Sequence, residues 1–545
     1  MEPIELNDPE FNPLSRRLFS GDIINDKYEI IYSTIRNDNN IPGILLLIGK
    51  TYGRTKNGKL RFYYKCIPND KRLPSFLVPY ELSPLSFVKT VTNKYVLFKY
   101  TDWTGKHPTG VLTNTIGDIT DLSNFYEYQL YGKNLFLSIK EFSNDVTNAC
   151  RHTTSNRLYI DEILAKNPMI EDRTSEYIIT IDPANSTDLD DAIGLNNDVL
   201  SIYIANVPLI MEYFNLWNSF SERISTIYLP DRKCPMLPSL LSDNLCSLLE
   251  NELRFAFCLD IQFKDGEICN LAFKSTLIKV SKNYCYEDPA LSANPVYSNI
   301  VSVVKSLCKK NKYVKEIKDS HDVIAYLMIM MNYESANIAH KFKSGIYRTL
   351  SLKDMKDNKD TNVNDTNLDD EIYNFIKIWQ SSSGCYSNYE NKTGHDLIGI
   401  DNYMHITSPI RRLVDLLNMW NIQKCLALTT QSSESGAQFY DNWINRLDYI
   451  NTTMRAIRKV QTDCNILNIC VNNTDILDKV YDGYVFDKIE RNNKYLQYTV
   501  YIPKIKMIAR VNIKDNMADY SSHKFRLYMI EDGLTLKRKI RVQLE

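Results

Sequence analysis

Several features are scarce or missing in this chain, and each absence closes off a class of protein. No CxxC occurs: the twelve cysteines stand singly, with Cys464 and Cys470 the nearest pair. In a chain of 545 residues that spacing suits neither a disulfide scaffold nor a zinc finger, and it reads as reduced thiols in a reducing compartment. The seven histidines form no HExxH or HxxxH, which argues against a zinc hydrolase. Charge of one sign is lacking too. Lys and Arg number 65 against 66 Asp and Glu, so no global positive field announces a polyanion. A neutral total still permits a locally basic channel. The longest strongly apolar run, Val323–Tyr333, falls well short of the roughly 20 residues a membrane span needs. The N-terminal stretch MEPIELNDPEF is acidic and has no apolar signal core. The expectation is a soluble intracellular chain without membrane association, in the cytoplasm first; a nucleus, an organelle or a viral factory would fit as well. Glycine is sparse, at 18 residues, and the glycine spacing of a P-loop is absent, which argues against an NTP-driven machine.

Along the chain, residues 1–40 form a polar lead-in with little periodicity. From Gly43 the pattern becomes strand-like: GILLLIGKTY and LRFYYKCI flank the turn RTKNGK with the signature of a hairpin. Further β-rich runs at Pro74–Val78 and Lys94–Lys99, with the loop WTGKHPTG, suggest a small barrel of the OB type. A helical stretch, Phe125–Lys166, follows. The central region, from Glu171 to Leu428, opens with the strands YIITI and VLSIYIANVPLI and then turns helical; Asp322–Lys341 is apolar around much of its circumference, as a buried helix is. The segment 354–371 is rich in Asn and Asp and reads as an exposed loop. After helical texture over Asn442–Cys470, the tail from Leu477 is β-rich again, with an Asn-Asn turn and aromatics beside basic residues. Such a surface suits single-stranded nucleic acid, through phosphate attraction and base stacking; a solvated barrel edge would look the same.

Residues 182–191, DPANSTDLDD, hold four aspartates and no basic residue. Carboxylates this close repel one another unless a cation sits among them. Oxygen donors alone favour a hard divalent ion, Mg²⁺ or Mn²⁺, over zinc. Asp182, Asp188, Asp190 and Asp191 are the candidate metal ligands, in an arrangement that serves in-line phosphoryl displacement. A solvated Asp-rich turn is the competing reading, but the apolar ITI before and AIGL after place the carboxylates against buried strands, where unpaired charge is costly. A second segment, TSPIRRL (407–413), reads as a helix start, with Ser408 as N-cap, Pro409 as first helical residue, and Leu413, Leu416, Leu417 and Trp420 as the buried face. Arg411 would then lie in the first turn, where an anion is favoured and a guanidinium can clamp phosphate. The alternative is a surface pair, Arg411 and Arg412, bridging to Asp415.

Together these segments resemble the RNase II/RNase R superfamily, the RNB exoribonucleases, which includes the exosome's catalytic subunit. IDPANSTDLDDAI is similar to its signature, YLPDRKCPMLPSLLSDNLCSLLENELRFAF (228–257) to its next block, and YMHITSPIRRLVDLL (403–417) to its third. Residues 61–120 resemble, more weakly, the family's second cold-shock-type barrel, and the tail resembles a shortened S1-like barrel. The resemblance implies an α+β chain: lead-in 1–40, cold-shock-like OB domain 41–125, helical connector 126–170, RNB catalytic domain 171–470 and S1-like OB domain 471–545. It implies processive 3′→5′ hydrolysis of single-stranded RNA to 5′-mononucleotides, dependent on Mg²⁺ (or Mn²⁺), with the RNA fed by the barrels into a deep catalytic domain. Asp190, Arg411 and Asp188 would be catalytic, Asp190 the most sensitive to mutation. Tyr228 would stack on the 3′-terminal base, Tyr347 would be a second stacking candidate, and His405 and Arg412 would contact the RNA. Three departures stand out. No PIN-type nuclease domain and only one N-terminal barrel precede the catalytic region, and Asn206 stands where the family usually has Asp. The rival readings are a catalytically silent RNA-binding scaffold of the same fold, a hydrolase of another phosphodiester, and a purely structural OB protein, which would leave the aspartates unexplained.

Overall fold

The computed structural model describes residues 12–545 apart from 38, 56–59, 83–90, 152–157, 265–266, 312, 315, 351–371, 373–374, 376–383, 397, 430–432, 474, 492–494 and 532–537. The expected Asn-Gly turn at 57–58, the Asn-Asn turn at 492–493 and the polar loop 354–371 lie outside the described residues. The chain divides into two compact units: Met1–Phe136 with Leu229–Arg232 and Arg458–Glu545, and Leu137–Tyr228 with Lys233–Ile457.

In the first unit, the strands Ile41–Leu45, Phe62–Pro68, Phe76–Tyr80, Lys94–Asp102 and Thr109–Asp118 close into a barrel. Phe62–Pro68 shows why: Tyr64, Cys66 and Pro68 are buried while Tyr63, Lys65 and Ile67 are less so, the period-two pattern of a strand with one face inward. Phe98 fills the interior, and the backbone opposite must approach it closely. A Cβ on Gly43 would lie 2.9 Å from the Phe98 ring, and one on Gly110 2.8 Å from it. Glycine is therefore required at both positions. The lead-in takes part as well. Phe19 is buried in the barrel core and stacks on Trp103 at 4.9 Å and on Phe76 at 5.6 Å. A single aromatic anchor leaves no periodicity to read. The tail forms a five-stranded antiparallel sheet in the order Met507–Ile513, Tyr495–Ile502, Val480–Arg491, Ser522–Glu531, Arg538–Leu544, around a core that includes Tyr481, Val485, Tyr498, Val500 and Phe525.

The second unit is built on a seven-stranded sheet ordered Lys282–Cys285, Ile178–Asp182, Asp191–Asn196, Val199–Ala205, Leu253–Lys264, Glu267–Lys279, Glu171–Arg173. Its centre is antiparallel and both edge strands pair parallel. One face presents Ile179, Ile181, Leu200, Ile202, Ile204, Phe257, Leu259 and Ile261 to the helices Pro295–Lys310 and Ser320–Lys341. Each buried aliphatic of this kind contributes about 2 kcal/mol. Both helices begin at a side-chain cap: Asn294 accepts from the N–H groups of Val296 and Tyr297, and Asp319 from that of Asp322. The opposite face carries a polar network centred on Arg173, which donates to Asp260 at 2.6 and 2.7 Å. VPLIM (207–211) is helical, not a continuation of the strand. The strand ends at Ala205, Pro208 sits in the first helical turn, and the Asn206 side chain caps the helix by accepting from Leu209 N–H.

Candidate active site

The aspartates arise from two strand ends and the loop joining them. Asp182 closes Ile178–Asp182 and Asp191 opens Asp191–Asn196, with Asp188 and Asp190 in the loop between. Asp190 is 2 % exposed, and its oxygens are both engaged: Ile410 N–H donates to one at 2.9 Å and Arg411 Nε to the other at 2.9 Å. Burial pushes its pKa up to about 7, against the opposing pull of Arg411 and the Ile410 amide. Asp182 is pushed up to about 6, mainly by burial and further by Asp188, with Thr180 and Arg411 pulling the other way. One of its oxygens, Oδ2, is buried without a hydrogen-bond partner. Asp191 is raised by burial and by the charges of Asp182 and Asp190. These carboxylates are thus in electrostatic contact, each raising the proton affinity of its neighbours.

Asp188 is held differently. Tyr228 Oη donates to its Oδ2 at 2.8 Å, and Lys233 Nζ to its Oδ1 at 3.1 Å. Tyr228 is 38 % exposed, and its hydroxyl pKa is raised by burial of the group and by Asp188. Among the described residues no three carboxylate, His or Cys side chains converge as a closed metal shell. The reason is visible in the pairing: the oxygens of Asp188 and Asp190 face Lys233, Tyr228, Arg411 and an amide. An orphaned buried oxygen, an all-oxygen donor set and four mutually repelling carboxylates nevertheless fit a hard divalent cation.

Arg411 is placed by a turn rather than a helix. The helix begins at Leu413, with Arg412 at its N-cap position, and residues 409–411 form a turn in which Arg411 and Arg412 N–H donate to Ser408 O. Ser408 is therefore not the N-cap, and Arg411 is not in the first helical turn. The turn wins because other acceptors claim its amides: Asp190 takes Ile410 N–H, and the fully buried Asp415 takes Ser408 N–H at 2.8 Å. The Arg411 carbonyl is fixed in turn by Thr226 N–H and Ser225 Oγ. Its side chain remains 45 % exposed beside Asp190. Arg412, a candidate RNA contact, pairs with Asp415 at 2.7 Å and donates to Ser408 Oγ, so it also serves the turn. The helix Leu413–Cys425 is buried from Leu413 through Gln423 on every side, not along one face.

One further expectation changes. Tyr347 is 1 % exposed, belongs to the main core and donates its hydroxyl to Ser344 O, so no base can stack on it. His405 is half-buried, with Nδ1 2.8 Å from Tyr386 Oη and its ring edge-on to Tyr403, an environment that orients it. Sequence reasoning missed Lys233 and Asp243, which complete the surroundings of Asp188. It also missed Tyr286, whose hydroxyl lies within the field of Asp191 and Asp182 and whose N–H donates to Asp182 O. Lys233 sits directly opposite Tyr228 in the short hairpin Ile227–Tyr228/Lys233–Cys234 and belongs to the same sequence block, a cue that was available. Asn206 forms a reciprocal amide pair with Gln423: Gln423 Nε2 donates to its Oδ1 at 2.9 Å, and its own Nδ2 donates to Gln423 Oε1 at 3.2 Å.

Comparison with known proteins matches residues 170–295 and 290–428 to the RNB domain, and residues 63–127 to the Dis3-like cold-shock domain 2. The DIS3-like exonuclease 2 of Schizosaccharomyces pombe is 31% identical over 239 residues, 41% of this chain and 25% of that protein. Ribonuclease R of Chlamydia pneumoniae is 25% identical over 415 residues, 63% of this chain and 59% of that protein. This chain thus spans less than two thirds of either relative's length. Among solved structures, Mycoplasma genitalium RNase R in complex with double-stranded RNA superposes with a TM-score of 0.68 at 18% identity, over 96% of this chain and 98% of that one, a likeness of fold.

Proposed function

We propose that this chain, which belongs to the RNB family, shortens single-stranded RNA from its 3′ end by hydrolysis and releases 5′-mononucleotides. The observation that carries the reading is the convergence on one carboxylate cluster of a half-exposed arginine side chain, Arg411, and a partly exposed phenol, Tyr228. The first suits a phosphate, the second a terminal base. Asp182, Asp188, Asp190 and Asp191 would hold a divalent cation, Mg²⁺ in preference to Mn²⁺. When bound, such an ion supplies activation of water and neutralisation of charge on the scissile phosphate.

The chain's own residues supply the rest. Asp190 aims Arg411 through Nε, leaving the guanidinium beside the place where phosphate charge develops. Ser408 braces the same side chain by accepting from Nη2 at 3.1 Å. Asp188 fixes the Tyr228 hydroxyl, so the ring stands at the edge of the cluster. RNA capture is supported by a cavity of about 1030 Å³ in the first unit, lined by Lys71, Lys133, Lys459, Arg510, Arg538 and Arg541, with Asp463 its one carboxylate among the described residues. In a chain of net charge −1, that concentration of cations suits a phosphate backbone. Among the described residues no helix is long and apolar enough to cross a membrane.

The test uses 5′-labelled single-stranded RNA of about 30 nucleotides, long enough to fill several barrel-sized sites, with Mg²⁺ or EDTA, beside a DNA control and Asp190→Asn. Direct shortening to a short limit fragment, abolished by EDTA and by the substitution, is the expected outcome. Tight RNA binding with no cleavage under Mg²⁺ or Mn²⁺ would make the chain an RNA-binding scaffold of the same fold.

A further inference from the structure

Lys233 is coordinated as an ion would be. Its ammonium lies 2.7 Å from Thr187 Oγ1, 2.8 Å from Asp243 Oδ1 and 3.1 Å from Asp188 Oδ1, one oxygen for each of its three N–H bonds. The cage is built for it. Asp243 lies on a π-helical turn, Leu241–Leu245, and its Oδ1 also accepts from Ser242 Oγ and Thr187 Oγ1. Such turns are rare and concentrate at functional sites. The hairpin pairing of Tyr228 with Lys233 then places a phenol on one oxygen of Asp188 and an ammonium on the other. Asp182, by contrast, keeps a buried oxygen with no partner.

We propose that Lys233 is a resident cation that competes with the divalent ion for Asp188, so that the ion must displace the ammonium from that carboxylate to complete its shell. This rests on the reading of the aspartates as a divalent-cation site. Lys233 touches neither substrate nor the ion; it is a positioning residue that acts through Asp188. Released from Asp188, the ammonium would keep Asp243 and Thr187, which hold it at shorter distances already. Tyr228 Oη donates to the other oxygen, Oδ2, so its anchor is the same whichever cation holds Oδ1.

The measurement is Mn²⁺ affinity by calorimetry and by electron paramagnetic resonance, on the full chain without RNA, for wild type, Lys233→Met, Lys233→Gln and Lys233→Arg. Removing one positive charge beside a dication's ligand raises affinity by about tenfold or more at the effective dielectric of a half-buried site. Both neutral variants are expected to bind Mn²⁺ that much more tightly, and the arginine variant to bind as wild type does. Lys233→Gln keeps a hydrogen-bonding head group if Lys233→Met does not fold. Unchanged or weaker Mn²⁺ binding in a folded neutral variant overturns the competition while leaving the cation site intact. No Mn²⁺ binding by wild type overturns the site itself, and the inference with it.

Discussion

Replacing Asn206 by Asp tests the packing logic beneath the site, because the two residues are close in shape and the buried surroundings are not forgiving. Asn206 is 1 % exposed and exchanges two hydrogen bonds with Gln423, at 2.9 and 3.2 Å. An aspartate keeps the acceptor for Gln423 Nε2 but turns the other contact into two oxygens facing each other. Gln423 Oε1, on a residue that is itself buried, then loses its donor. An orphaned buried acceptor costs about 1–3 kcal/mol, and more when the group facing it is charged. The cap works the other way: a carboxylate at the start of Val207–Tyr213 gains about 0.3–1 kcal/mol from the free N–H groups and the helix dipole. The net expectation is a loss of about 2 kcal/mol, a fall of about 3 °C in the thermal midpoint for a unit of this size. The sign with pH follows. Burial raises the new carboxyl's pKa in the folded state above its unfolded value near 4, so the folded variant binds the extra proton. As a neutral acid it can also donate to Gln423. The variant's deficit relative to wild type is therefore small near pH 4 and grows as pH rises toward 7. Urea unfolding of both proteins at several pH values measures it. Equal stability at pH 7, or a deficit that shrinks as pH rises, would refute the reasoning.

Asp260→Asn strands Arg173, whose remaining carboxylate is the half-exposed Glu171, and is expected to cost about 3 kcal/mol in equilibrium unfolding. In the wild type, hydrogen bonds and charge from Arg173 and Ser201 outweigh burial and hold Asp260 well below the usual carboxylate range. Its contribution is present above the unfolded pKa and is lost as pH falls toward the folded one, so the gap between variant and wild type should narrow with acid. Arg411→Lys loses the Nε contact to Asp190 and the planar fork; kcat on RNA is expected to fall by about 10²–10³, with protein stability little changed. Tyr228→Ala is expected to weaken RNA binding in EDTA by about tenfold, the loss of one stacked base, whereas Tyr347→Leu, in a variant that folds, leaves it unchanged because Tyr347 is enclosed in the core. Fluorescence anisotropy separates the two, and equal losses would contradict the burial argument.

Local pattern carried a large part of this protein. Four aspartates within ten residues, bounded by apolar runs, announced a charged site against buried strands, and the structure places Asp182 and Asp191 at two strand ends for that reason. The α+β class, the β-rich tail and the buried helix Ser320–Lys341 were legible because periods of two and of 3.6 are written in consecutive residues. Three blocks in order resembled the RNB family, whose domain matches residues 170–295 and 290–428.

Distance along the chain decided the remainder. Ser408-Pro409 has every local mark of a helix start, yet Asp190, more than two hundred residues away, takes the Ile410 amide and holds a turn there instead. Tyr347 looks like a stacking ring in isolation and is core because helix and sheet close over it. Asn206 meets Gln423, and Lys233 meets Asp188, only after the strands have paired. Propensity and pattern set which elements form and which residue types gather near the cluster. The partner of each polar group is set by tertiary packing, since a buried donor or acceptor must be satisfied by whatever the fold brings within about 3 Å.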